Sequence, residues 1–206
     1  MEQYQAEAQG RHLTDTSASL LDRLHRAPDS AAWDRLVRLY EPFIRRWLTD
    51  PALAGDADDL TQDVLAILVR ELPRFDRRRH GSFRAWLRTI TVNRVKEHWR
   101  KRRAGLRERP EGGTDAVARL AQLADPTSGL SRQWDAEHDS HVARKLMDLL
   151  EPEFTPLTWA AFRRQVVDGQ TAAVVAAEQG STVNAVLLAK SRVLMRLRAE
   201  ATGLIE

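Results

Sequence analysis

Residues 81–103 read Gly-Ser-Phe-Arg-Ala-Trp-Leu-Arg-Thr-Ile-Thr-Val-Asn-Arg-Val-Lys-Glu-His-Trp-Arg-Lys-Arg-Arg. Ser82 is a good helix N-cap, and nothing through Arg103 breaks a helix. Phe83, Trp86, Leu87 and Ile90 stand at i, i+3, i+4 and i+7, which gives one apolar face. Val92, Val95 and Trp99 form a second stripe. It starts two residues after Ile90, on roughly the opposite side at about 100° per residue. A helix with two apolar faces is sandwiched between neighbours, or it uses its second face for a partner.

Between residues 77 and 109 there are thirteen Arg or Lys against Glu97 and Glu108, a local charge of +11. The whole chain carries +3, so the remainder carries −8. A basic segment interleaved with aromatic residues in an otherwise acidic chain is the footprint of a nucleic-acid surface, because bases of an open strand stack on aromatic rings. A core helix with a solvated basic face is the plainer account of the same residues, and the flanking sequence must decide.

The length of 206 residues suits one large domain or two small ones, and a hydrophobic content of 43% is ordinary for a soluble globular protein. The chain has no cysteine, which excludes disulfides, thiolate metal sites and a cysteine nucleophile. No apolar run approaches the roughly 18 residues of a membrane span. Residues 1–14 lack the apolar centre of a signal peptide, so a cytoplasmic protein without membrane insertion is expected.

Residues 1–18 read as a disordered arm. Leu20, Leu21 and Leu24 begin a short helix closed by Pro28. Asp29 or Ser30 caps a longer helix in which Trp33, Leu36, Val37, Tyr40, Ile44, Trp47 and Leu48 hold helical spacing as core, with Pro42 as a kink or the start of a second helix. Asp50-Pro51 opens a loop. The helix over 56–72 crowds carboxylates at its N-terminus, where the helix dipole favours them. Leu60, Val64, Ile67 and Leu68 form its buried stripe, and Asp59, Gln62, Asp63 and Ala66 a polar one suited to a basic partner helix. Asp56, Asp58 and Asp59 invite a metal or acid/base reading, but no His or Glu nearby completes a ligand set. No metal, cofactor or catalytic residue is expected. Residues 74–81 read as a basic loop placed to hold an extruded base, or as a solvated turn.

Residues 105–131, rich in Gly and Pro, read as a linker with a short helix at 116–123. The expected fold is therefore all-α, with two small helical domains over 19–104 and 132–206. In the second, helices are expected over 135–150 and 157–167, the latter with Trp159, Phe162 and Val166. A helix-turn-helix pattern follows over 170–192. Ala176 is the small residue of the first helix, Gly180 makes the turn, Thr182 caps the next helix, and Val183 and Val186 pin it to the first. Asn184, Ala185, Leu188, Lys190, Ser191 and Arg192 are then presented to a major groove.

The sequence resembles bacterial extracytoplasmic-function sigma factors of the sigma-70 family. The resemblance is carried by Asp-Ala-Asp-Asp-Leu-Thr-Gln-Asp-Val at 56–64, by Leu-Pro-Arg-Phe-Asp at 72–76 followed by residues 81–94, and by residues 175–192. It covers roughly residues 19–197 and implies a promoter-recognition subunit of RNA polymerase with no catalysis of its own. It implies that Asp56, Asp58, Asp59, Gln62 and Asp63 dock on the β′ clamp helices of core polymerase. It further implies that the segment from Arg74 captures a flipped base of the minus-ten element. Arg77, Arg78, Arg79, Ser82, Phe83, Arg84, Trp86, Arg88, Asn93, Arg94, Lys96 and Arg100 are the candidate DNA contacts there. Phe83 and Trp86 also sit in the apolar stripe, so a structural role stays open for them. Thr171, Ser181, Thr182, Asn184, Ala185, Leu188, Lys190, Ser191 and Arg192 are the candidates for the minus-thirty-five element. The resemblance further implies contact with the β flap, a linker near the RNA exit path, and regulation by an anti-sigma factor or another protein. Leu187 and Leu188 depart from the pattern by standing where a polar reader is expected, and a methyl contact to thymine or shape readout suits Leu188. The rival readings are a stand-alone helix-turn-helix regulator, a metal-dependent enzyme on nucleic acid using the Asp cluster, and a structural adaptor.

Overall fold

The computed structural model describes residues 19–26, 29–49, 55–105 and 113–205. The expected arm over 1–18, Pro28, the loop opened by Asp50-Pro51 and residues 106–112 of the expected linker lie outside these. The described residues form helices and no strand, so the fold is all-α as expected. The chain divides into two compact units, one of Leu20–Val142 and Gly203–Glu206, the other built on Ala143–Thr202.

In the first unit, α1 (Leu20–Arg26) buries Leu20, Leu21 and Leu24. Helix α2 (Ser30–Leu48) starts at Asp29, whose carboxylate accepts from the Ala32 N–H at 2.6 Å. It runs through Pro42 as one helix, since the proline lies on the exposed side. Its core residues include Leu36, Leu39, Tyr40, Phe43, Ile44 and Leu48. Trp33, Val37 and Trp47, expected as core, are only half-buried. Helix α3 (Ala57–Glu71) packs on α2 through Leu60, Val64, Leu65 and Leu68, while Ile67 stays half-buried, and Pro73 turns its end into a 3-10 segment, Leu72–Arg74.

The basic stretch expected as a loop contains one helical turn, α4 (Arg77–His80), because the Asp76 carboxylate accepts from the Arg78 N–H at 2.9 Å. Gly81, at φ 73°, breaks the turn in a conformation open to glycine and strained for other residues. The Ser82 hydroxyl then accepts from the Ala85 N–H and starts α5 (Phe83–Gly105). The two apolar faces of α5 have two destinations. Phe83, Trp86, Leu87, Val92 and Val95 are buried, and α5 packs against both α3 and α6 (Gly113–Ala124).

Part of the expected linker is therefore folded. The buried Ser131 hydroxyl lies 2.6 Å from the Asp125 carbonyl and 2.9 Å from that of Leu123, which ties α6 to α7 (Gly129–Leu150). The sequence places the start of the second domain at residue 132, whereas the units divide between Val142 and Ala143, inside α7. The reason is chemical. Trp134 is fully buried against Phe43 and Trp47, with ring centroids 4.8 and 4.9 Å away, and its indole N–H donates to the Arg84 carbonyl. His138 is fully buried beside the Tyr40 hydroxyl and the Asp139 carboxylate.

In the second unit, α8 (Pro156–Val166), α9 (Ala172–Glu178) and α10 (Val183–Ala201) pack on one another, with Thr155, Thr171 and Thr182 each capping the helix that follows. Trp159, Phe162 and Val193 form one apolar cluster; Ala161, Val175, Ala176, Val186 and Ala189 form another. Gly180, at φ 61°, makes the turn between α9 and α10, which bend by 111°. Two expected core residues are not core: Val166 and Val183 are 43% and 45% exposed.

Burial lowers the pKa of His138 against the opposing pull of its hydrogen bond to Asp139. The unfolded chain therefore takes up this proton first as pH falls through about 6.5, and the contribution to stability, complete above that pH, is lost below it. The urea midpoint of the wild type is expected to fall between pH 7.5 and 5.5 more steeply than that of His138→Gln. Equal slopes in denaturation followed by tryptophan fluorescence would refute this.

Candidate nucleic-acid interface

Helix α5 carries cations around much of its circumference, and neighbouring carboxylates sort them into two classes. Arg84 is 2.9 Å from Asp139 and 3.6 Å from Asp135. Arg88 is buried and donates to Asp135 at 2.7 Å. Arg94 meets Asp63 of α3 through Nε at 2.9 Å and also binds Glu97. The Asp63 hydrogen bond raises its pKa further, so its charge is permanent. His98 and Arg102 both reach Asp56, at 3.1 and 3.3 Å. Partners for these basic side chains are therefore built into the fold.

What remains is one stripe. Thr89, Asn93, Lys96 and Arg100 stand at i, i+4, i+7 and i+11, and all four are exposed. Asn93, Lys96 and Arg100 are among the residues expected to meet DNA; Thr89 was not singled out, although the helical period places it in the same line. Arg77, Arg78 and Arg79 are exposed on α4 next to the start of α5. Ser82 is half-buried and spends its hydroxyl on the cap.

Phe83 and Arg88 lie inside the fold. Phe83 is fully buried in an aromatic cluster with Tyr40, Phe75 and Trp86, which is the structural role left open for it. Trp86 retains 9% exposure and packs on Phe75, with His80 beside it. This cluster fixes α4 against α5.

On α3 the five expected docking residues are also sorted. Asp56 does not cap the helix; its carboxylate turns to His98 and Arg102. Asp58 pairs with Arg45 at 2.8 Å, Gln62 donates to Glu41, and Asp63 holds Arg94. Asp59 and Gln62 are the exposed centre of the stripe. Among the described residues, no group of three or more His, Asp or Glu side chains converges on a point suited to a metal ion.

In the second unit the capping hydroxyls of Thr171 and Thr182 accept from the Val174 and Ala185 N–H groups. Asn184, Ala185, Leu188, Ser191 and Arg192 of α10 are exposed, Ser181 and Lys190 half-buried. Asn184, Leu188 and Ser191 lie on the outer side of α10, opposite the buried Val186, Ala189 and Val193, while Lys190 flanks the buried side and Ser181 precedes the helix. Among the described residues no single helix is long and apolar enough to cross a membrane.

Sequence reasoning passed over the partners that decide which cations are available. Asp135 and Asp139 stand at i and i+4 beside Trp134 and His138 at the same spacing, a pattern that marks one acidic and one apolar line on α7. Arg88→Ala leaves Asp135 without its buried partner and is expected to cost about 3 kcal/mol of stability. Lys96→Ala should change stability by less than about 0.5 kcal/mol. Urea denaturation of the two variants tests the division, and equal losses would remove it.

No curated protein matches the sequence. Residues 33–105, which run from within α2 to the end of α5, match the family described as Sigma-70 region 2. The match supports a place for the chain in the sigma-70 family.

Proposed function

We propose that the protein is a transcription initiation factor of the extracytoplasmic-function class that binds core RNA polymerase in the cytoplasm and directs it to specific promoters. The observation that supports this most is the exposed stripe of Asn93, Lys96 and Arg100 on the basic helix of a sigma-70 region 2, with an acidic stripe on the adjoining α3. In this reading Asp59 and Gln62, flanked by Asp56, Asp58 and Asp63, dock on the β′ clamp helices. The stripe on α5 tracks the backbone of the minus-ten element, with Arg77, Arg78 and Arg79 around the strand that opens. Trp86 borders that surface, while Arg84, Arg88 and Phe83 hold the helix in place. The α9–α10 pair is a helix-turn-helix for the minus-thirty-five element, since its 111° bend and capped second helix suit a major groove. The second unit also contacts the β flap, and an anti-sigma factor is a natural regulator of such a chain. The subunit supplies binding free energy for strand opening; phosphodiester chemistry belongs to the polymerase.

Run-off transcription with core polymerase on a library of random promoter fragments tests this reading. Initiation is expected to depend on the protein, and Asp59→Arg is expected to weaken core binding at least tenfold without unfolding the chain. Core binding that is absent in the wild type, together with specific duplex binding by the protein alone, would favour a stand-alone regulator.

The Asp63–Arg94 pair gives a second test. Asp63→Asn leaves Arg94 held by Glu97 alone, on its own helix, so non-specific DNA binding by the free protein should strengthen severalfold, with a salt dependence steeper by up to about one counterion. An unchanged salt slope would show that Arg94 does not reach a phosphate.

A further inference from the structure

We propose that α10 reads its DNA element chiefly through thymine methyl groups, with Asn184 as the one amide reader, so that the preferred minus-thirty-five element is rich in thymine where α10 enters the groove. The inference rests on reading α9–α10 as a DNA-binding helix-turn-helix and specifies what that site selects.

The outer face of α10 is unusually apolar. Asn184, Leu188, Ser191 and Met195 form its outermost line at i, i+4, i+7 and i+11, opposite the buried Val186, Ala189 and Val193. Leu188 is 47% exposed and Met195 62%, and the adjoining Leu187 and Val183 are 48% and 45% exposed. Isolated exposed aliphatics need no account, but several together on one helix mark a contact surface.

The surrounding charge says what that surface meets. Helix α10 carries Lys190, Arg192, Arg196 and Arg198 against Glu200. Arg196 is committed to Glu153 and Glu200, whereas Arg192 and Arg198 are exposed, as is Arg163 on the adjoining α8. An apolar line flanked by cations complements a groove walled by phosphates.

The chemistry of the first two turns then selects the base. In this class of fold the N-terminal residues of the second helix contact base edges. From Val183 to Ala189 they read Val-Asn-Ala-Val-Leu-Leu-Ala, with no Arg or Lys to make the paired hydrogen bonds that identify guanine. Thymine presents an apolar group, the C5-methyl, to the major groove, and an asparagine amide pairs with adenine N6 and N7. Leu188 and Leu187 accordingly meet methyl groups, and Asn184 meets an adenine.

The test uses the full-length protein with core polymerase. Promoters are selected from a random library, and each thymine of the upstream element is then replaced by deoxyuridine, which removes the methyl group and nothing else. Each contacted methyl lost is expected to weaken binding about three- to fivefold. Leu188→Ala, at an exposed position and checked for folding by circular dichroism, should abolish most of that sensitivity. An upstream element led by guanine, or specific binding unaffected by deoxyuridine, would overturn the inference while leaving the helix-turn-helix reading intact. Binding indifferent to the whole upstream element would overturn both. Leu188→Ala that impairs core binding but not DNA binding would assign the patch to a protein contact and overturn the inference.

Discussion

A long helix as basic as α5 is held in a folded core only if carboxylates from other elements meet its charges. Arg84 and Arg88 lie one turn apart and repel each other; Asp135 and Asp139, also one turn apart, face them. Further along the helix, the basic residues Arg94, His98 and Arg102 descend one face at four-residue intervals and meet Asp63 of α3 and Asp56 at its start. Two acidic walls therefore clamp one basic helix, and the architecture of the first unit follows. Helix α3 lies along one side of α5. The folded stretch over α6 and the first part of α7 holds the other, which is why the unit runs on from α5 to Val142, inside α7.

The local signals were legible in the sequence. The caps at Ser82 and Thr182, the left-handed glycine at position 180 and the buried Ala176 each depend on a few neighbouring residues, and periodicity or turn chemistry fixes them. The two apolar faces of α5 were also legible, since a 3.6-residue period needs no knowledge of what packs there. Which cations are available was not legible. Arg88 and Asn93 look equally solvated in sequence, but the partner of Arg88 is 47 residues away and that of Arg84 is 55. Val183 failed for a related reason. It sits at the first position of α10, where the chain has only begun to turn toward the core, so Val186 alone of the two is buried.

The aromatic cluster shows why one residue invites two readings. Phe83 and Trp86 are aromatic, next to a basic turn, and in an apolar stripe, so base stacking and core packing predict the same letters. Packing takes Phe83 completely, because Tyr40 and Phe75 close over it. What the cluster supplies is rigidity: the basic turn Arg77–His80 is fixed to α5 through Phe75, His80 and Trp86. Cations on a fixed scaffold lose little conformational entropy on meeting a phosphate.

The two clamps on α5 differ in what they cost to open. Arg88 is 8% exposed against an Asp135 that is 32% exposed, and separating that pair strands a charge away from water. Arg94 and Asp63 are 20% and 44% exposed, and Arg102 and Asp56 are 48% and 37% exposed. Pairs as open as these contribute on the order of 1 kcal/mol or less, so an incoming cation replaces one partner at small cost. The carboxylates involved, Asp56 and Asp63, belong to the acidic stripe of α3; the cations belong to the helix that carries Asn93, Lys96 and Arg100. A basic partner seated on α3 would compete with α5 for the same carboxylates. The Asp63 and Asp56 pairs are in this way the exchangeable ones, while the Asp135 and Asp139 clamp holds the helix in register.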